Sequence, residues 1–593
     1  MTRAERIADS LELLARCWPW PVEVGGTGTD GDDETADLPR ALAYLDAGVD
    51  AETVRRAGNG AAALVALVGT VVAALAAFAP LGSSTLGSSV VALALALTLA
   101  LALGVVSLSR RGPVALATAS RTAALGTAPA LVARAVLRTR VEPASERAAE
   151  FAARGEGRLA AALADHVRRA EGTPRSGLAA FGAAWADWNP PLRRAVLLVE
   201  SAADAPAGER ETALDRAMTA ILDGTHDRMA AFAEEVRGPT TALYAFGVLL
   251  PLALVAVLPA ARVAGVPLSI PVLVVVYDLL LPAALVAAGG WLAVRRPAAF
   301  PPPDVSRDHP DVPDRRWPAV GAGVAVGAGL LALVTLTPLP GWTRWPAMGG
   351  TGLGTALVWW FRPVEEVRAD ARAAEANLTD ALYLVGRRVR DGAAVETAIA
   401  EAAPEVAGRT GEMLADAAGI QRRLRVGVRE AFLGEYGALA DVPSSQSRSV
   451  ASLLAIAARE GRPAGRAIVA MADHVEDLQR VEREARRELA SVTGTLRNTA
   501  AIFGPLVGGA TIALADGMAA GAGTGTLGEP LPTAALGVAV STYVLLMAAV
   551  LTALATGLER GFDRGLVGYR VGLALLCAVG SLLVGFVGAG FAA

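Results

Sequence analysis

The sequence predicts an all-α, polytopic membrane protein with about nine transmembrane helices and two cytoplasmic helical bundles. Two observations predict this fold class. Hydrophobic residues make up 53% of the 593 residues and the mean hydropathy is +0.44, values that are high for a soluble protein. Charged residues nevertheless make up 19%, which is too many for a chain that lies wholly in lipid. A protein that is part membrane and part cytosol accounts for both.

Nine apolar runs are candidate membrane helices, because crossing about 30 Å of hydrocarbon takes about 20 residues. The run at 346–361 is short and rich in glycine, and Trp359 and Trp360 at its end suit the aromatic belt of a membrane interface. The nine runs cover residues 61–80, 88–108, 241–260, 269–294, 317–337, 346–361, 498–516, 532–557 and 571–592.

Arginine placement predicts the orientation of the chain. All 54 cationic residues are arginines, and with nine spans and a cytoplasmic N-terminus only Arg262 and Arg344 fall in outside loops. Positive residues in the short flanks of membrane helices mark the cytoplasmic side, and Arg295-Arg296 lies at such an inner end. We therefore expect a multi-pass protein of the cell membrane with its C-terminus outside.

This topology divides the chain into eight segments. The two long ones are rich in Ala, Leu, Arg and Glu and should fold as helical bundles, whereas the proline-rich linker should be extended. The division is 1–57, an N-terminal region with Trp18-Pro19-Trp20; 58–108, two membrane helices; 109–240, the first bundle; 241–294, two membrane helices; 295–316, the linker; 317–361, two membrane helices; 362–497, the second bundle; and 498–593, three membrane helices.

The stretch LTDALYLVGRRVRDG, residues 378–392, is typical of a bundle helix. Five apolar residues recur at helical spacing, and Gly392 is expected to end the helix. The helix must pack on other helices, since its arginines cannot lie in lipid. Further on, Glu482 and Arg486 are spaced for side-chain pairing. The apolar stripe consists of Leu378, Ala381, Leu382, Val385 and Val389.

A similar line, LAAALADHVRRAEG, occupies residues 159–172, which is 219 residues earlier (378 − 159). This alignment matches Arg168-Arg169 with Arg387-Arg388. The order of two spans, a bundle and further spans also recurs, and RGPTTALYAFGVLLPL (237–252) and RNTAAIFGPLVGG (497–509) share an Arg, Thr-Ala, Phe-Gly and a proline. The sequence therefore predicts a tandem duplicated unit.

Three stretches of the second half carry a resemblance to a known family: ALYLVGRRVRDGAAVETAIAEAA (381–403), LLAIAAREGRPAGRAIVAMADHVEDLQRVEREAR (453–486), and Phe503-Gly504-Pro505 at the start of a span. The chain resembles the platform proteins of type IV pilus-like and type II secretion machines, which carry the secretion-system F domain. The archaeal members, of archaella and adhesion pili, are the nearest. Glu460-Gly461 occupies the turn before the family's long charged helix, whereas residues 199–218 of the first half have no such turn.

The resemblance, which covers about 110–590, implies a protein without enzymatic activity at the base of a filament. Its cytoplasmic bundles would engage a hexameric secretion ATPase, its membrane part would receive pilin-like subunits, and it would form a homodimer. We assign the ATPase contact to a cationic cluster together with Glu460 and Gly461; the alternative for the cluster is a solvated helix face. The cluster consists of Arg422, Arg423, Arg425 and Arg429.

Other function classes find little support in the sequence. The four histidines are not at metal-ligand spacing, the absence of lysine excludes a P-loop, and the net charge of −4 argues against nucleic acid. We expect neither cofactor nor metal, and we expect His474 at the surface. Asp278 lies in a predicted span and should bond to a neighbouring helix beside Tyr277. The remaining alternatives are a secondary transporter using Asp278 and a membrane scaffold unrelated to pili.

Overall fold

The computed structural model is all-α: every regular element among its described residues is a helix, which confirms the predicted class. The chain divides into two compact units, Met1–Thr122 and Ala123–Ala593. Most of 1–57, most of 295–316 and Gly461 lie outside the described residues. The structure describes residues 31–45, 48–78, 85–155, 157–173, 176–263, 270–296, 305, 309–313, 317–460, 464–521 and 532–592.

The first unit is built from three helices, the last of which runs on into the second unit. The guanidinium of Arg121 lies 4.5 Å from the ring centroid of Tyr44, a cation–π contact within this unit. Leu38, Leu42 and Val54 form its buried apolar cluster. The helices are α1, Gly31–Leu45; α2, Ala51–Phe78; and α3, Thr85–Leu125.

Six helices of the second unit enclose a first apolar core, in which Phe181 is fully buried. Local sequence sets their ends: the Asn189 side chain accepts a hydrogen bond from the Leu192 N–H at 3.2 Å, and the two prolines that follow suit the first helical positions. The helices are α4, Ala128–Val141; α5, Ser145–Ala153; α6, Arg158–Ala170; α7, Leu178–Ala184; α8, Pro190–Asp204; and α9, Ala207–Tyr244.

Apolar helices follow, interrupted by segments of π-helix. They are π1, Ala245–Leu249; α10, Leu250–Val263; α11, Ile270–Val274; π2, Val275–Leu280; α12, Leu281–Arg295; α13, Trp317–Leu336; and π3, Pro346–Gly350. Between α12 and α13, the described part of the proline-rich linker is folded rather than extended. The Val312 N–H donates to the His309 carbonyl at 2.9 Å, and the His309 Nε2 lies 2.9 Å from the Asp441 carbonyl oxygen.

Seven helices enclose the second core. The predicted stripe is confirmed: all five of its residues are at most 3% exposed, and the helix ends at Arg390, two residues before Gly392, whose φ is 108°. The helices are α14, Thr351–Glu375; α15, Leu378–Arg390; α16, Val395–Ala402; α17, Gly408–Leu424; α18, Val428–Leu433; α19, Ser445–Glu460; and α20, Ala464–Asn498. The chain ends in π4, Thr499–Phe503; α21, Gly504–Gly521; α22, Thr533–Arg560; and α23, Arg564–Ala592.

The helix order recurs along the chain, in a register that differs from the predicted one. The helices α4 to α7 start at residues 128, 145, 158 and 178, and α15 to α18 start 250 residues later in each case (378 − 128 for the first). The helix that contains Leu159 therefore corresponds to α17 and not to α15, so the predicted alignment of Leu159 with Leu378 is wrong. Alanine-rich helices can be aligned in several registers, and only the positions of the helix ends show which alignment is correct.

Within the part of the chain that the structure describes, six helices are long and apolar enough to cross a membrane, so the prediction of nine is not confirmed. The predicted runs at 61–80 and 88–108 fall in α2 and α3, between which residues 79–84 lie outside the described residues. The run at 346–361 falls in π3 and α14, where the apolar sequence gives way to charge from Arg362 onward. The six span Ala207–Leu258, Ile270–Ala293, Trp317–Leu336, Thr493–Ala519, Thr533–Arg560 and Arg564–Phe591.

Three of the π segments end two residues before a proline, namely Pro251, Pro282 and Pro505. Proline has no N–H, so the carbonyl four residues earlier loses its α-helical donor and the helix widens locally. At Pro251 the carbonyl concerned is that of Gly247, and the Tyr543 hydroxyl of α22 donates to it at 3.0 Å. The helix thus stays continuous across the proline.

Candidate functional site

The predicted cationic cluster lies at the end of α17 and in the short helix that follows. Its four arginines are all exposed, and none of the ion pairs among the described residues involves them. Leu424, the last residue of α17, is 60% exposed. We call this group the α17 tip; it consists of Arg422, Arg423, Leu424, Arg425 and Arg429.

Backbone geometry shapes the α17 tip. Arg425 has a φ of 54°, the left-handed conformation that ends a helix and that residues other than glycine seldom adopt. The chain therefore turns directly after Leu424, which leaves this apolar side chain between arginines. Unpaired guanidinium groups around an exposed leucine form a surface that suits an acidic partner with an apolar contact at its centre.

The other predicted contact residues receive less support. Glu460 is the last residue of α19, and Gly461 lies outside the described residues. Their role in a partner contact therefore stays a prediction.

Asp278 lies in π2, and its predicted hydrogen bond to a neighbouring helix is wrong. The bond is made by Tyr277, whose hydroxyl donates to the Pro251 carbonyl at 3.1 Å. The Oδ1 of Asp278 is buried and has no hydrogen-bond partner among the described residues. Tyr277 faces α22, where its ring packs edge-on against that of Tyr543 at 5.3 Å between centroids.

A network of charged side chains, which was not predicted from the sequence, lies where the apolar helices meet the charged ones. Glu559 at the end of α22, only 11% exposed, is its centre. Its carboxylate lies 3.1 Å from Arg570 of α23, 3.5 Å from Arg497 of α20 and 3.5 Å from Arg560. One buried acid thus holds cations from three helices, and removing it would leave them to repel one another.

Arg296 joins a further helix to this point. Its Nε donates to the Leu558 carbonyl at 2.7 Å and its Nη2 to the Glu559 carbonyl at 3.4 Å. These carbonyls belong to the last turn of α22, which lacks helical N–H partners, so Arg296 caps that helix. Burial and the nearby Arg486 lower the pKa of Arg296 to about 10, which leaves it charged at neutral pH.

The charged C-terminal half of α14 is held by a second buried pair. Arg368 lies 2.6 Å from Asp563 (Nη2–Oδ2), and 6% of the Arg368 side chain is exposed. Asp563 Oδ1 also accepts the Leu566 N–H at 3.0 Å and so caps the start of α23. A single carboxylate therefore fixes one helix end and neutralises a cation from another helix.

Two acidic groups, one at the end of α14 and one on the long charged helix α20, complete the network. Burial raises the pKa of Glu375 at the end of α14 and that of Glu482 in α20. Glu482 pairs with Arg486, as predicted. The junction network, as we call it, consists of Arg296, Arg368, Glu375, Glu482, Arg486, Arg497, Glu559, Arg560, Asp563 and Arg570.

The junction network brings the polar ends of α12, α14, α20, α22 and α23 to one end of the apolar helices. A sequence signal existed for Arg296, Arg497 and Glu559, which lie within a few residues of a change from apolar to charged sequence. The pairing itself could not be predicted, since Arg368 and Asp563 are nearly 200 residues apart (563 − 368).

A polar cavity of about 200 Å³ lies between the two cores. The Arg140 guanidinium pairs with Asp215 there, and its Nε lies 3.5 Å from Glu211. His474 is half-buried rather than exposed as predicted, and its Nε2 has no hydrogen-bond partner among the described residues. Burial and the nearby Arg140 lower the pKa of His474 to about 4, so its ring is neutral at pH 7. Polar lining residues are Arg140, Asp215, Thr219, Asp473, His474 and Asp477.

Within the described part of the chain, no three His, Cys, Asp or Glu side chains are placed to hold a metal ion. Comparison of the chain with protein-family models, with curated proteins and with solved structures gave no match. The geometry of this chain and its sequence are therefore the basis for a functional proposal.

Proposed function

We propose that the chain is the membrane platform protein of a type IV pilus-like or archaeal filament machine, or of a related type II secretion machine. In this role it transmits movement of a cytoplasmic hexameric secretion ATPase to membrane helices that handle pilin-like subunits. It makes and breaks no covalent bond and needs no cofactor. The resemblance of residues 381–403 and 453–486 to the secretion-system F domain supports this choice over an unrelated membrane scaffold.

The observation that carries the proposal is the continuity of two helices. The path α20–π4–α21 runs from residue 464 to residue 521, and the path α9–π1–α10 from residue 207 to residue 263, each without a loop. Both begin in charged, water-compatible sequence and end in apolar sequence. A movement imposed on the charged part therefore reaches the apolar part through a stiff rod, which is what a motor platform requires.

The proposal includes the number of membrane helices and the side of the membrane on which the two cores lie. We place the two cores in two cytoplasmic bundles of a tandem duplicated unit, and nine helices in the membrane of the cell. The arginine-rich junction network then lies on the cytoplasmic side, in agreement with the positive-inside rule.

Labelling a Tyr436→Cys variant, with the native cysteines removed, tests this orientation. Tyr436 is 77% exposed, so the thiol should react only after the membrane is permeabilised.

Co-purification with the secretion ATPase of the same cells tests the function. Changing the four arginines of the α17 tip to Ala should abolish co-purification, because the contact loses its positive charge. The matched control changes four exposed arginines elsewhere, and it should retain the ATPase. These are Arg147, Arg154, Arg193 and Arg194.

A second experiment separates binding of the ATPase from transmission of its movement to the membrane helices. Glu559→Gln should leave ATPase co-purification intact and abolish filaments on the cell surface, since the change lies in the junction network and not at the α17 tip. An ATPase that fails to co-purify with the unaltered chain would overturn the proposal.

One observation favours a second candidate function, a secondary transporter. The Asp278 Oδ1 is buried in a candidate membrane helix without a hydrogen-bond partner among the described residues, and intramembrane carboxylates commonly move ions. Proton- or ion-driven uptake into vesicles that is lost in Asp278→Asn would establish the transporter and exclude the platform.

A further inference from the structure

We propose that each chain docks its acidic partner through the α17 tip alone, with Leu424 as the apolar centre of the contact, and that the corresponding end of α6 is built so that it does not bind. This inference rests on the proposed function, because it concerns the surface that the ATPase would contact. It adds that each chain makes one contact with the ATPase, and it gives the reason why the α17 tip and not the end of α6 makes this contact.

The ends of α6 and α17 correspond to each other in the recurring helix order. The two helices start 250 residues apart (408 − 158). Both contain Leu-Ala-Asp, at 163–165 and at 414–416, and both carry an Arg-Arg pair near the C-terminal end, at 168–169 and at 422–423. The two ends can therefore be compared group by group.

The end of α6 holds its two arginines through contacts within its own last turn. Arg168 pairs with Asp165, three residues earlier, and the Nε of Arg169 donates to the Asp165 carbonyl at 3.0 Å. The next residue after α6 is Glu171, followed by Gly172 in the left-handed conformation with a φ of 76°. From Asp165 to Arg175 the sequence contains two acids and three arginines, so this end keeps a net charge of about +1.

One additional helical turn removes these contacts from α17. The helix has 17 residues whereas α6 has 13, a difference of about one turn. Asp416, the counterpart of Asp165, is consequently six residues before Arg422, too far for the i,i+3 or i,i+4 contact. It lies instead 3.9 Å from Arg409, near the other end of the helix.

The five residues that follow α17 add two arginines and no acid, whereas the five that follow α6 add one acid and one arginine. Arg425 stands where α6 is followed by Glu171, and Arg429 lies one turn further on. The four arginines of the α17 tip carry +4, and Glu430, the single acidic residue between positions 417 and 434, lowers the net charge of this stretch to about +3. It also has an apolar residue in its centre, since Leu424 is 60% exposed.

The chemistry of the partner follows from these differences. An exposed leucine with unpaired arginines on both sides of it in the sequence fits an apolar socket edged by carboxylates, in which the leucine is desolvated and the arginines form charge-assisted hydrogen bonds. The occupant to which we commit is an acidic protein surface of the ATPase. Such a contact weakens with added salt, because the charges lie at its rim.

Binding of the purified ATPase to the full chain in detergent tests the inference, with immobilised chain and a salt titration. Arg422→Glu with Arg423→Glu should abolish binding, and Leu424→Ala should weaken it about tenfold, as for a central apolar anchor. The matched control, Arg168→Glu with Arg169→Glu, should leave the affinity within about twofold, because that end of the chain makes no contact with the partner. Should this control disturb folding, Arg168→Gln with Arg169→Gln replaces it, since an exposed ion pair contributes at most about 1 kcal/mol.

The outcomes separate the inference from the proposed function. Equal losses from the α6 and the α17 variants would overturn single-tip docking and leave the platform function standing. Absence of ATPase binding by the unaltered chain would overturn both. Vesicles containing anionic lipid provide the remaining arm. If they bind the unaltered chain through the α17 tip and displace the ATPase, the surface is a lipid site and the inference fails.

Discussion

Arg368 and Asp563 form a buried ion pair that joins α14 to the start of α23, with 2.6 Å between Nη2 and Oδ2. The Nε and Nη1 of Arg368 are buried and have no hydrogen-bond partner among the described residues. Asp563 is therefore the main compensation for a cation held out of water. When few other groups make hydrogen bonds to a buried ion pair, removing one of its two members lowers the stability of the fold most.

The first prediction concerns this pair. Asp563→Ala should lower the free energy of unfolding by about 3–5 kcal/mol, because it leaves an uncompensated buried guanidinium and removes the cap of α23. Thermal unfolding in detergent measures the loss. Asp563→Asn keeps the capping oxygen for the Leu566 N–H and should therefore lose less stability than Asp563→Ala. Arg368→Met in the Asp563→Asn background should recover stability, and an Asp563→Ala variant as stable as the unaltered chain would contradict the prediction.

The second prediction concerns the hydroxyl of Tyr543, which donates to the carbonyl that Pro251 leaves without an α-helical donor. Tyr543→Phe should destabilise the chain by about 0.5–1.5 kcal/mol, the net value of one such hydrogen bond. Pro251→Ala restores an N–H four residues after Gly247 and so supplies a second donor. In a double-mutant cycle the cost of Tyr543→Phe should fall in the Pro251→Ala background; an unchanged cost would mean that the proline does not create the need for the hydroxyl.

Much of the fold was accessible from the sequence, and the reasons are local. The stripe from Leu378 to Val389 repeats at helical spacing, so its burial could be predicted before its neighbours were known. The offset between the two repeated sets of helices could not be predicted, because alanine-rich helices satisfy the same pattern at offsets of 219 and of 250 residues. For Gly392 the signal was again local, since a glycine directly after a stripe marks a helix end.

The third prediction concerns close packing of apolar helices at glycine. A Cβ at Gly572 of α23 would lie 2.8 Å from the Gly354 carbonyl oxygen and 2.9 Å from a methyl carbon of Val358, both in α14. Gly572→Ala should therefore separate α14 from α23 and lower the thermal midpoint, since small residues permit close approach of membrane helices. Gly580→Ala in the same helix is the matched control: a Cβ there meets nothing within 4 Å. Equal midpoints for the two variants would refute the packing argument.

Less of the candidate site could be predicted. The arginines of the α17 tip are adjacent in sequence, so their clustering was visible, whereas the absence of partners depends on where Asp416 and Arg409 lie. No local pattern singles out Glu559, because its partners Arg497 and Arg570 come from other helices. Charge pairing between distant segments is decided by tertiary packing, and a single sequence contains no periodic signal for it.

The last prediction concerns pH and the cavity between the two cores. His474 faces Arg140 of α4, Asp215 of α9, and Asp473 and Asp477 of its own helix. Its pKa is about 4 in the folded chain, because of burial and of Arg140, and about 6.5 when unfolded. Between these values the unfolded chain binds more protons, so the free energy of unfolding should fall as the pH falls from about 6.5 to about 4.

Neighbouring acids make a control necessary. Burial raises the pKa of Asp473, and a group with a raised folded pKa loses its stabilising contribution as the pH rises. The two slopes are opposite in sign, so the informative quantity is the difference between the unaltered chain and His474→Gln, measured as the unfolding midpoint across the pH range. We expect the curves to agree above pH 7 and the variant to lose less stability toward pH 4. Parallel curves would mean that His474 is not shielded at this position, and that the two cores are not closed around it.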